Sequence, residues 1–295
     1  VKTVLYLRYQ KDNETLVDEV AFTFTYDEIK KRFIVNLNRG FTLFKGSATT
    51  DWTVAEQEIG QFGTWDNIQK SFRVLQNKYN AAFFEEKGLY KEKHQIIPGS
   101  GVNLQRFTVM DYPADTENIK FLMIARVMKD KGADEYIAAA KAIKEKYPNT
   151  EFHICGLCED EYKAQLDEIK DKGIINYHGM VSDVRTIIKD THCTVLPSYH
   201  EGMPNVLLES AACARPVIAT NIPGCQETFD EGVTGIGCEA KSAQSLIDAI
   251  EKFLSLSHEE KAQMGRAGRV KIEKRFDRQI VVKAYISEIN TILNK

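Results

Sequence analysis

The sequence predicts an α/β protein, in which a doubly wound parallel sheet with helices on both faces is joined to a second, smaller α/β domain. From residue 119 onward, short apolar runs alternate with segments of helical spacing, the pattern of parallel strands connected by helices. The length of 295 residues suits two domains. A hydrophobic share of 43% and a charged share of 27% are typical of a globular protein.

The predicted elements of the larger domain, residues 119–278, follow one another in strand–helix order. We expect strands at 119–124, 152–155, 174–177, 193–196 and 216–219, and helices at 132–146, 160–172, 184–189, 205–214, 242–255 and 258–275. The piece 232–238 is apolar and rich in turn residues. In open parallel sheets, ligands bind at the carboxyl ends of the strands, near the point where the strand order reverses. The loop after strand 193–196 lies at such an end.

Residues 1–110 are predicted to form the smaller domain. Runs at 4–7, 21–25, 33–35, 72–75 and 94–97 have strand character, and 80–87 has helical character. Segment 51–70 is mixed, because Gly60 and Gly63 weaken its helical pattern. The polar segment 111–118 holds Pro113 and is interpreted as a linker. A C-terminal helix, 279–295, is expected to pack back on the first domain.

The charge pattern restricts the partners. A formal net charge of −3 gives no broad basic field, so nucleic acid is not expected as a partner. No apolar run approaches the roughly 18–20 residues of a membrane span. Residues 261–278 are basic, which usually indicates a solvated helix face; the alternative is peripheral contact with anionic lipid headgroups. We therefore expect a cytoplasmic protein, with the periphery of the inner membrane as the alternative location.

Cysteine usage favours reduced thiols. Six cysteines in a chain of this length do not resemble a disulfide scaffold. Cys155 and Cys158 form a C-x-x-C pattern, but a redox pair would need a helix that starts at the first cysteine, and Cys155 ends a predicted strand. No second pair lies nearby to complete a zinc site. Packing within a loop is the favoured interpretation, with thiol oxidoreductase chemistry as the alternative.

Two glutamates mark the most informative stretch of the chain. Glu201 lies in a Gly/Pro-containing loop after the predicted strand 193–196, and Glu209 lies inside the following helix. Pro204 suits the first turn of that helix, where its missing N–H is not needed. A helix N-terminus favours phosphate, and ionised carboxylates accept strong hydrogen bonds from hydroxyls. The pattern predicts a ligand that carries both phosphate and hydroxyl groups.

Several short motifs occur together in one order. They are Ala125-Arg126 with Lys129-Asp130-Lys131-Gly132, Tyr177-His178-Gly179, Val181-Ser182-Asp183-Val184, Leu196-Pro197-Ser198, Glu201-Gly202 with Leu208-Glu209, Arg215-Pro216-Val217-Ile218-Ala219-Thr220, Pro223-Gly224-Cys225-Gln226-Glu227 and Gly232-Val233-Thr234-Gly235. In this order they resemble the donor-binding domain of the family-four glycosyltransferases of GT-B fold. The likeness is closest to bacterial enzymes of capsular or lipid-linked polysaccharide synthesis. Upstream, Gln76-Asn77 and 97–103 resemble the end of the family's first domain and its crossover.

The resemblance implies roles for individual residues. Arg126 and Lys131 would stabilise the departing diphosphate, and Glu201 would lie beside the transferred sugar as the third catalytic group. Glu209 would hold the ribose hydroxyls. Further donor-binding positions would be the backbone of Gly202, Met203 and Asn205, the crossover loop at Ser100 and Gly101, and the nucleobase region at His178 and Gly179. No D-x-D sequence occurs, so no metal and no separate cofactor are expected.

The implied activity is a retaining transfer of a hexosyl or N-acetylhexosaminyl group. The donor would be a nucleoside diphosphate sugar, with UDP as the expected nucleotide. The partner that accepts the sugar would be a saccharide or a lipid-linked acceptor. The region before Pro98 is shorter than the family's acceptor domain and has no histidine before His94. The alternative is therefore a nucleotide-sugar-binding protein, or a truncated fragment, without independent transferase activity.

Overall fold

The computed structural model describes residues 2–9, 18–27, 32–39, 49–50, 74–75, 78, 81–82, 85, 95–115 and 118–293. Contacts between residues divide the chain into two compact units. One comprises 1–72 with 90–92, and the other comprises 73–89 with 93–295. The boundaries predicted at 110 and 118 stay predictions.

The first unit contains a meander of antiparallel strands. Its described strands are β1 (Lys2–Tyr9), β2 (Asp18–Asp27), β3 (Arg32–Arg39) and β4 (Thr49–Thr50), hydrogen-bonded in that order. Leu5 pairs with Phe22, and Phe24 pairs with Val35. The strands predicted at 4–7, 21–25 and 33–35 are confirmed. Segment 51–70 lies outside the described residues.

The second unit is built on a sheet of six parallel strands. They are β7 (Ile119–Ile124), β8 (Thr150–Cys155), β9 (Asn176–Tyr177), β10 (Cys193–Leu196), β11 (Val217–Thr220) and β12 (Gly235–Cys238), in the order β12-β11-β10-β7-β8-β9. A separate parallel pair joins β5 (Val74–Leu75) to β6 (Gln95–Ile96). This topology confirms the predicted doubly wound α/β class.

Helices of the second unit follow the predicted spacing, with ends shifted by a few residues. They are a 3₁₀ helix (Lys129–Lys131), α1 (Ala133–Lys146), α2 (Asp160–Asp171), α3 (Arg185–Ile188), α4 (Asn205–Ala212), α5 (Ala243–Leu254), α6 (His258–Arg275) and α7 (Arg278–Leu293). The side chain of Ser257 accepts a hydrogen bond from the backbone N–H of Glu260, and the Glu260 carboxylate accepts one from that of Ser257. This capping box fixes the start of α6.

Helices cover both faces of the parallel sheet. Phe121 belongs to an apolar cluster with Phe152 and Tyr136, which lies under α1, α2 and α5. Its neighbour Leu122 belongs to a second cluster with Leu208 and Ile272, under α4 and α6. Successive strand residues point to opposite faces, so one short apolar run contributes to two cores. The continuous apolar character of the central strands follows from this burial on both faces.

Strand β12 is an element that the sequence analysis describes only as apolar and turn-rich. Ile236 pairs with Ile218 of β11, so the piece is a strand of the sheet. Its two glycines permit a close approach that a side chain would prevent. A Cβ on Gly235 would lie 2.6 Å from the carbonyl oxygen of Val217, and one on Gly237 would lie 2.2 Å from Oδ1 of Asn221. Glycine is rare in strands, so the two glycines that this packing requires remove the sequence pattern by which a strand would be predicted.

Arg215 lies at the centre of a buried network at the amino end of β11. Its side chain is fully buried, and its guanidinium donates hydrogen bonds to the carbonyls of Ile188, Lys189, Met110 and Asp111. These bonds attach the predicted linker to the parallel-sheet unit. The sequence analysis included Arg215 in a motif without assigning it a role.

The basic stretch 261–278 is only partly a solvated surface. Lys261 and Lys271 are buried, the first donating to the carbonyl of Leu254 and the second to Asp230. Arg269 donates to the carbonyls of Phe107 and Ala212. Four further cations remain exposed, Arg266, Lys274, Arg275 and Arg278. The internal bonds give several of the basic residues a structural role, and contact with a membrane stays a prediction.

Helix α7 packs on the crossover segment through Val281 and Ala284, which contact Ile97. Ile97 belongs to the region 1–110 of the predicted first domain. Across the part of the chain that the structure describes, every helix is too short or too polar to cross a bilayer.

The C-x-x-C cysteines are both free thiols. Cys155 is buried and ends β8, and Cys158 is half-buried in the following loop. Burial raises the pKa of Cys155 to about 11 and also raises the pKa of Cys158. A redox-active pair needs a lowered thiol pKa, so the local environment favours the packing interpretation.

Candidate functional site

The strand order places the two glutamates and the two predicted cations at one crevice. From β7 the chain continues to β8 and β9 on one side, whereas from β10 it continues to β11 and β12 on the other. The loops that leave β7 and β10 therefore diverge at the carboxyl edge of the sheet, where ligands of this architecture bind. Arg126 and Lys131 follow β7, and Glu201 and Glu209 follow β10.

Lys131 and Glu201 form the central contact of this crevice. The Lys131 Nζ lies 2.6 Å from Oε1 of Glu201, and their side chains are 26% and 15% exposed. Both groups are thus held largely out of water, where electrostatic interactions are stronger. Two residues that lie 70 positions apart in the chain become direct partners.

Gly132 lets the two loops approach each other. Its φ of 73° lies in the left-handed region, where it ends the 3₁₀ helix and begins α1. A Cβ at this position would lie 2.1 Å from the carbonyl oxygen of Pro197. The loop after β7 therefore packs directly on the loop after β10 because residue 132 is glycine.

Arg126 lies at the same edge but does not join the Lys131–Glu201 pair. Its side chain is 59% exposed, and its Nη1 lies 3.6 Å from Oε1 of Glu159, in the loop after β8. An exposed ion pair of this kind contributes little free energy. An anion that enters the crevice can therefore recruit the Arg126 guanidinium at small cost.

Glu209 presents a half-buried carboxylate in α4. Burial raises the pKa of this carboxyl, and the charges of Arg106 and Arg278 act in the opposite direction. These two arginines are functional candidates that the sequence analysis did not select. Arg106 follows the Gly-rich crossover loop, and Arg278 had been assigned to the basic stretch, so neither position carried a signal of its own.

The crossover loop lies against the N-terminal end of α4. The Ser100 hydroxyl donates a hydrogen bond to Oδ1 of Asn205 at 3.0 Å. Gly99 has a φ of +60°, and a Cβ there would lie 2.5 Å from Cγ of Met203. The structure thus brings together Ser100, Met203 and Asn205, with Gly101 next in the same loop. The N–H groups of Leu207 and Leu208 both donate to the carbonyl of Pro204, so the first turn of α4 offers an anion the N–H groups of Asn205 and Val206.

Gly202 lies under a third loop of the site. A Cβ on Gly224 would lie 2.5 Å from the carbonyl oxygen of Gly202 and equally close to that of Glu201. The backbone that follows the Glu201 side chain is therefore packed against the loop of Gly224, which restricts how the chain leaves Glu201.

His178 and Gly179 lie apart from the other predicted residues. They follow the edge strand β9, two strand spacings or about 10 Å from β7. Nε2 of His178 lies 2.9 Å from Nδ1 of His153, and the two rings stack at 5.2 Å. Burial lowers the pKa of both imidazoles. The pair is linked to the crevice only through neighbouring loops, since Gly156 donates to the carbonyl of Gly179.

The described residues include no group of three or more His, Cys, Asp or Glu side chains that could hold a metal ion. The predicted site residues comprise two cations, two carboxylates and backbone groups at a helix N-terminus. These groups suit a polyhydroxylated ligand that carries phosphate.

Solved structures similar to this chain share its fold. HepE of Anabaena, solved with UDP and glucose, has a TM-score of 0.64 at 16% identity, over 79% of this chain and 69% of its own. The sucrose-phosphate synthase of Thermosynechococcus elongatus has a TM-score of 0.65 at 20% identity, over 82% of this chain and 66% of its own. The class defined by this fold is the GT-B type of α/β protein, as the sequence predicted.

The family model for glycosyl transferases group 1 matches residues 107–271, more than half of the chain. The chain belongs to this family. The match includes Arg126, Lys131, Glu201 and Glu209, and it ends within α6. The resemblance identified from the motifs is confirmed.

Curated relatives come from bacterial polysaccharide synthesis. One is the N,N'-diacetylbacillosaminyl-diphospho-undecaprenol α-1,3-N-acetylgalactosaminyltransferase of Campylobacter jejuni, 25% identical over 75% of this chain and 60% of that protein. Another is the capsular polysaccharide biosynthesis glycosyltransferase CapM of Staphylococcus aureus, 27% identical over 66% of this chain and 54% of that protein. The chain thus spans between about half and two thirds of the length of these relatives.

Proposed function

We propose that this chain binds a UDP-linked sugar and transfers its hexosyl or N-acetylhexosaminyl group, with retention of anomeric configuration, to a saccharide in polysaccharide biosynthesis. One observation carries the proposal: the Lys131–Glu201 pair, 2.6 Å apart, lies at the switch point of the sheet, with Glu201 in the loop that leads into the helix of the half-buried Glu209. The family of the chain supports the reaction class.

Lys131 and Arg126 suit the departure of a nucleoside diphosphate. As the bond between the anomeric carbon and the diphosphate oxygen breaks, negative charge grows on that oxygen and needs nearby cations. The Lys131 ammonium has three donors, so one can bind Glu201 while another binds phosphate. In this proposal the Glu201 carboxylate would stabilise positive charge that develops on the sugar.

Glu209 suits the ribose of the donor. Its carboxylate is half-buried near the first turn of α4, and burial makes an unpaired charge costly. Ribose hydroxyls would supply the hydrogen bonds that compensate this cost. The phosphates would then lie towards Lys131, between α4 and the loop after β7.

The choice of donor and acceptor is supported by the named relatives. HepE was solved with UDP and glucose, and the Campylobacter relative is an N-acetylgalactosaminyltransferase named for a lipid-linked saccharide. A lipid-linked acceptor would place the chain in the cytoplasm at the inner membrane. The exposed Lys274, Arg275 and Arg278 would then be available to anionic headgroups.

A second candidate function is donor binding without transfer. It is favoured by the coverage of the relatives, since the chain spans 60% of one and 54% of another.

One experiment separates the two functions. The purified chain is incubated with UDP-N-acetylglucosamine, UDP-N-acetylgalactosamine or UDP-glucose and an undecaprenyl-diphosphate-linked saccharide. Mass spectrometry detects transfer, NMR identifies the anomer, and calorimetry measures UDP binding. We expect UDP binding and a product with the donor's anomeric configuration. Binding with neither transfer nor donor hydrolysis would establish the second function, and a lack of UDP binding would contradict both.

Replacement of Glu209 by alanine is expected to weaken UDP binding by about 1–3 kcal/mol, because charge-assisted hydrogen bonds to the ribose are lost. Burial raises the pKa of the Glu209 carboxyl, and only the ionised form accepts these bonds. Affinity of the wild type should therefore fall as pH falls through this raised pKa, before an ordinary glutamate of pKa about 4.3 titrates.

Calorimetry across pH measures both effects. Glu161→Ala, which removes an exposed glutamate from α2, is the matched control and should bind UDP like the wild type. Equal affinity of Glu209→Ala and the wild type would refute the ribose assignment.

A further inference from the structure

Tyr199 and Glu135 form a buried contact between the same two chain segments that the Lys131–Glu201 pair joins. The Tyr199 hydroxyl oxygen lies 2.7 Å from Oε1 and 2.9 Å from Oε2 of Glu135. The two residues are only 7% and 8% exposed. The contact therefore joins two polar groups that are almost completely withdrawn from water.

The positions of the two residues connect this contact to the proposed catalytic groups. Glu135 lies in the first turn of α1, four residues after Lys131, and Tyr199 lies two residues before Glu201. The Tyr199–Glu135 contact and the Lys131–Glu201 contact thus join the same two chain segments. The two segments are therefore joined by two side-chain contacts, one inside the core and one in the crevice.

Further bonds lie between these two contacts. The backbone N–H of Tyr199 donates to the carbonyl of Asp130 at 2.9 Å, and the Ser198 hydroxyl donates to the same carbonyl at 3.2 Å. Asp130 directly precedes Lys131. The loop after β10 is therefore bonded to the 3₁₀ helix through both backbone and side-chain groups.

The chemistry of the pair favours a hydrogen bond from the Tyr199 hydroxyl to the Glu135 carboxylate that is not lost by deprotonation of the tyrosine. Burial, followed by the charge and hydrogen bond of Glu135, raises the pKa of the Tyr199 hydroxyl, which therefore stays protonated and donates. The Glu135 carboxylate lies at the positive end of α1, which also stabilises its charge. Nζ of Lys241 lies 5.2 Å from the centroid of the Tyr199 ring, a cation–π contact that holds the ring from its other side.

We infer that Tyr199 and Glu135 are positioning residues, which keep the Lys131 ammonium and the Glu201 carboxylate in the relative position that catalysis requires. This inference rests on the proposed function only in giving Lys131 and Glu201 their roles. The hydroxyl–carboxylate bond fixes the loop after β10 against α1. Rate depends steeply on such placement, because catalytic groups displaced by about 1 Å can lose about 100-fold in rate.

Replacement of Tyr199 by phenylalanine tests the inference. It removes the hydroxyl and keeps the ring. We expect kcat for sugar transfer to fall about 10- to 100-fold, with KM for the donor changed less than about 3-fold. In the proposed function the ribose of the donor is held by Glu209 in α4, which is not a hydrogen-bond partner of the Tyr199 hydroxyl.

A matched control is available one residue away from Glu135. The Tyr136 hydroxyl is also buried, and it donates to the carbonyls of Phe121 and His153 in the sheet. Tyr136→Phe should lower the melting temperature about as much as Tyr199→Phe and leave kcat unchanged. Glu135→Gln keeps an acceptor oxygen for Tyr199 and should retain most of the wild-type kcat.

A double variant addresses any loss of folding. In Tyr199→Phe with Glu135→Met, both polar partners are replaced by apolar groups of similar shape, a change that can be nearly neutral for stability. The inference predicts that this variant folds and still has the reduced kcat. The inference would be overturned if folded Tyr199→Phe, or the folded double variant, had the kcat of the wild type. It would also be overturned if Tyr136→Phe lost as much kcat as Tyr199→Phe.

A structural measurement separates this inference from the proposed function. In crystal structures, the wild type should show the 2.6 Å contact between Nζ of Lys131 and Oε1 of Glu201, and Tyr199→Phe should show it lengthened or disordered. An unchanged contact in Tyr199→Phe would overturn the inference even if the wild type showed no transferase activity. A wild type that keeps this contact but neither binds nor transfers a nucleotide sugar would refute only the proposed function.

Discussion

Replacement of Lys131 by methionine is expected to lower kcat for sugar transfer by about 100- to 1000-fold, the usual cost of removing one preorganised group that stabilises developing charge. Methionine keeps the length of the side chain but has no charge. The Lys131 side chain is 26% exposed and its ammonium is bonded to Glu201, so little bulk water is present to stabilise the developing charge in its place. Steady-state kinetics with a UDP-sugar measures the effect.

Lys129 provides the control for this prediction. It lies in the same 3₁₀ helix but is exposed, so Lys129→Met should change kcat less than about 3-fold, as expected for a solvated charge. Circular dichroism would verify that both variants fold. A Lys131→Met enzyme with the kcat of the wild type would exclude Lys131 from the chemical step.

Replacement of Arg215 by lysine is expected to lower the free energy of unfolding by about 3 kcal/mol or more, although the charge is conserved. The guanidinium is fully buried and bonds the carbonyls of Ile188, Lys189, Met110 and Asp111. A lysine ammonium has three donors, so at least one buried carbonyl would lose its partner. Urea unfolding followed by circular dichroism measures the change.

An exposed arginine gives the comparison for Arg215. Arg266 lies on α6, where it pairs with Glu259 in contact with solvent. Arg266→Lys should alter stability by less than about 0.5 kcal/mol. A loss of less than about 1 kcal/mol in Arg215→Lys would show that the buried carbonyls find other partners.

The fold class was predictable because the signal for each element is local. Alternating apolar runs and helical spacing identify β7, β8, β10 and β11 and the helices between them. Strand β12 was missed for a physical reason. Gly235 and Gly237 give it a low strand propensity, and they are required by the backbone of Val217 and the side chain of Asn221 rather than by β12 itself.

The candidate site was predictable in part. Glu201 and Glu209 lie within one short stretch, and the motif order adds Arg126 and Lys131, so a reader of the sequence can assemble the group. Their contacts were not predictable. Lys131 bonds Glu201, Arg126 pairs with Glu159 instead, and His178 stacks on His153 at a distance from both. Such partners depend on which loops the strand order brings together.

The basic stretch shows the same division between local and tertiary information. Composition alone describes 261–278 as one charged segment, with either solvent or a lipid surface as its partner. In the folded chain Lys271 is buried against Asp230, whereas Arg266, five positions away on the same helix, is exposed. The helical period sends neighbouring cations to different faces, and only the packing of α6 determines which face is buried.

The sequence by itself determined the parallel α/β class, the family motifs and the identity of the residues at the crevice, because propensity, periodicity and motif order are properties of neighbouring positions. The tertiary structure alone decided that Lys131 meets Glu201 and that Tyr199 bonds Glu135. The physical reason is the separation of the two strands along the chain. Residues that are paired between β7 and β10, such as Phe121 and Cys193, are 72 positions apart, so the side chains that follow them meet only after the sheet has formed.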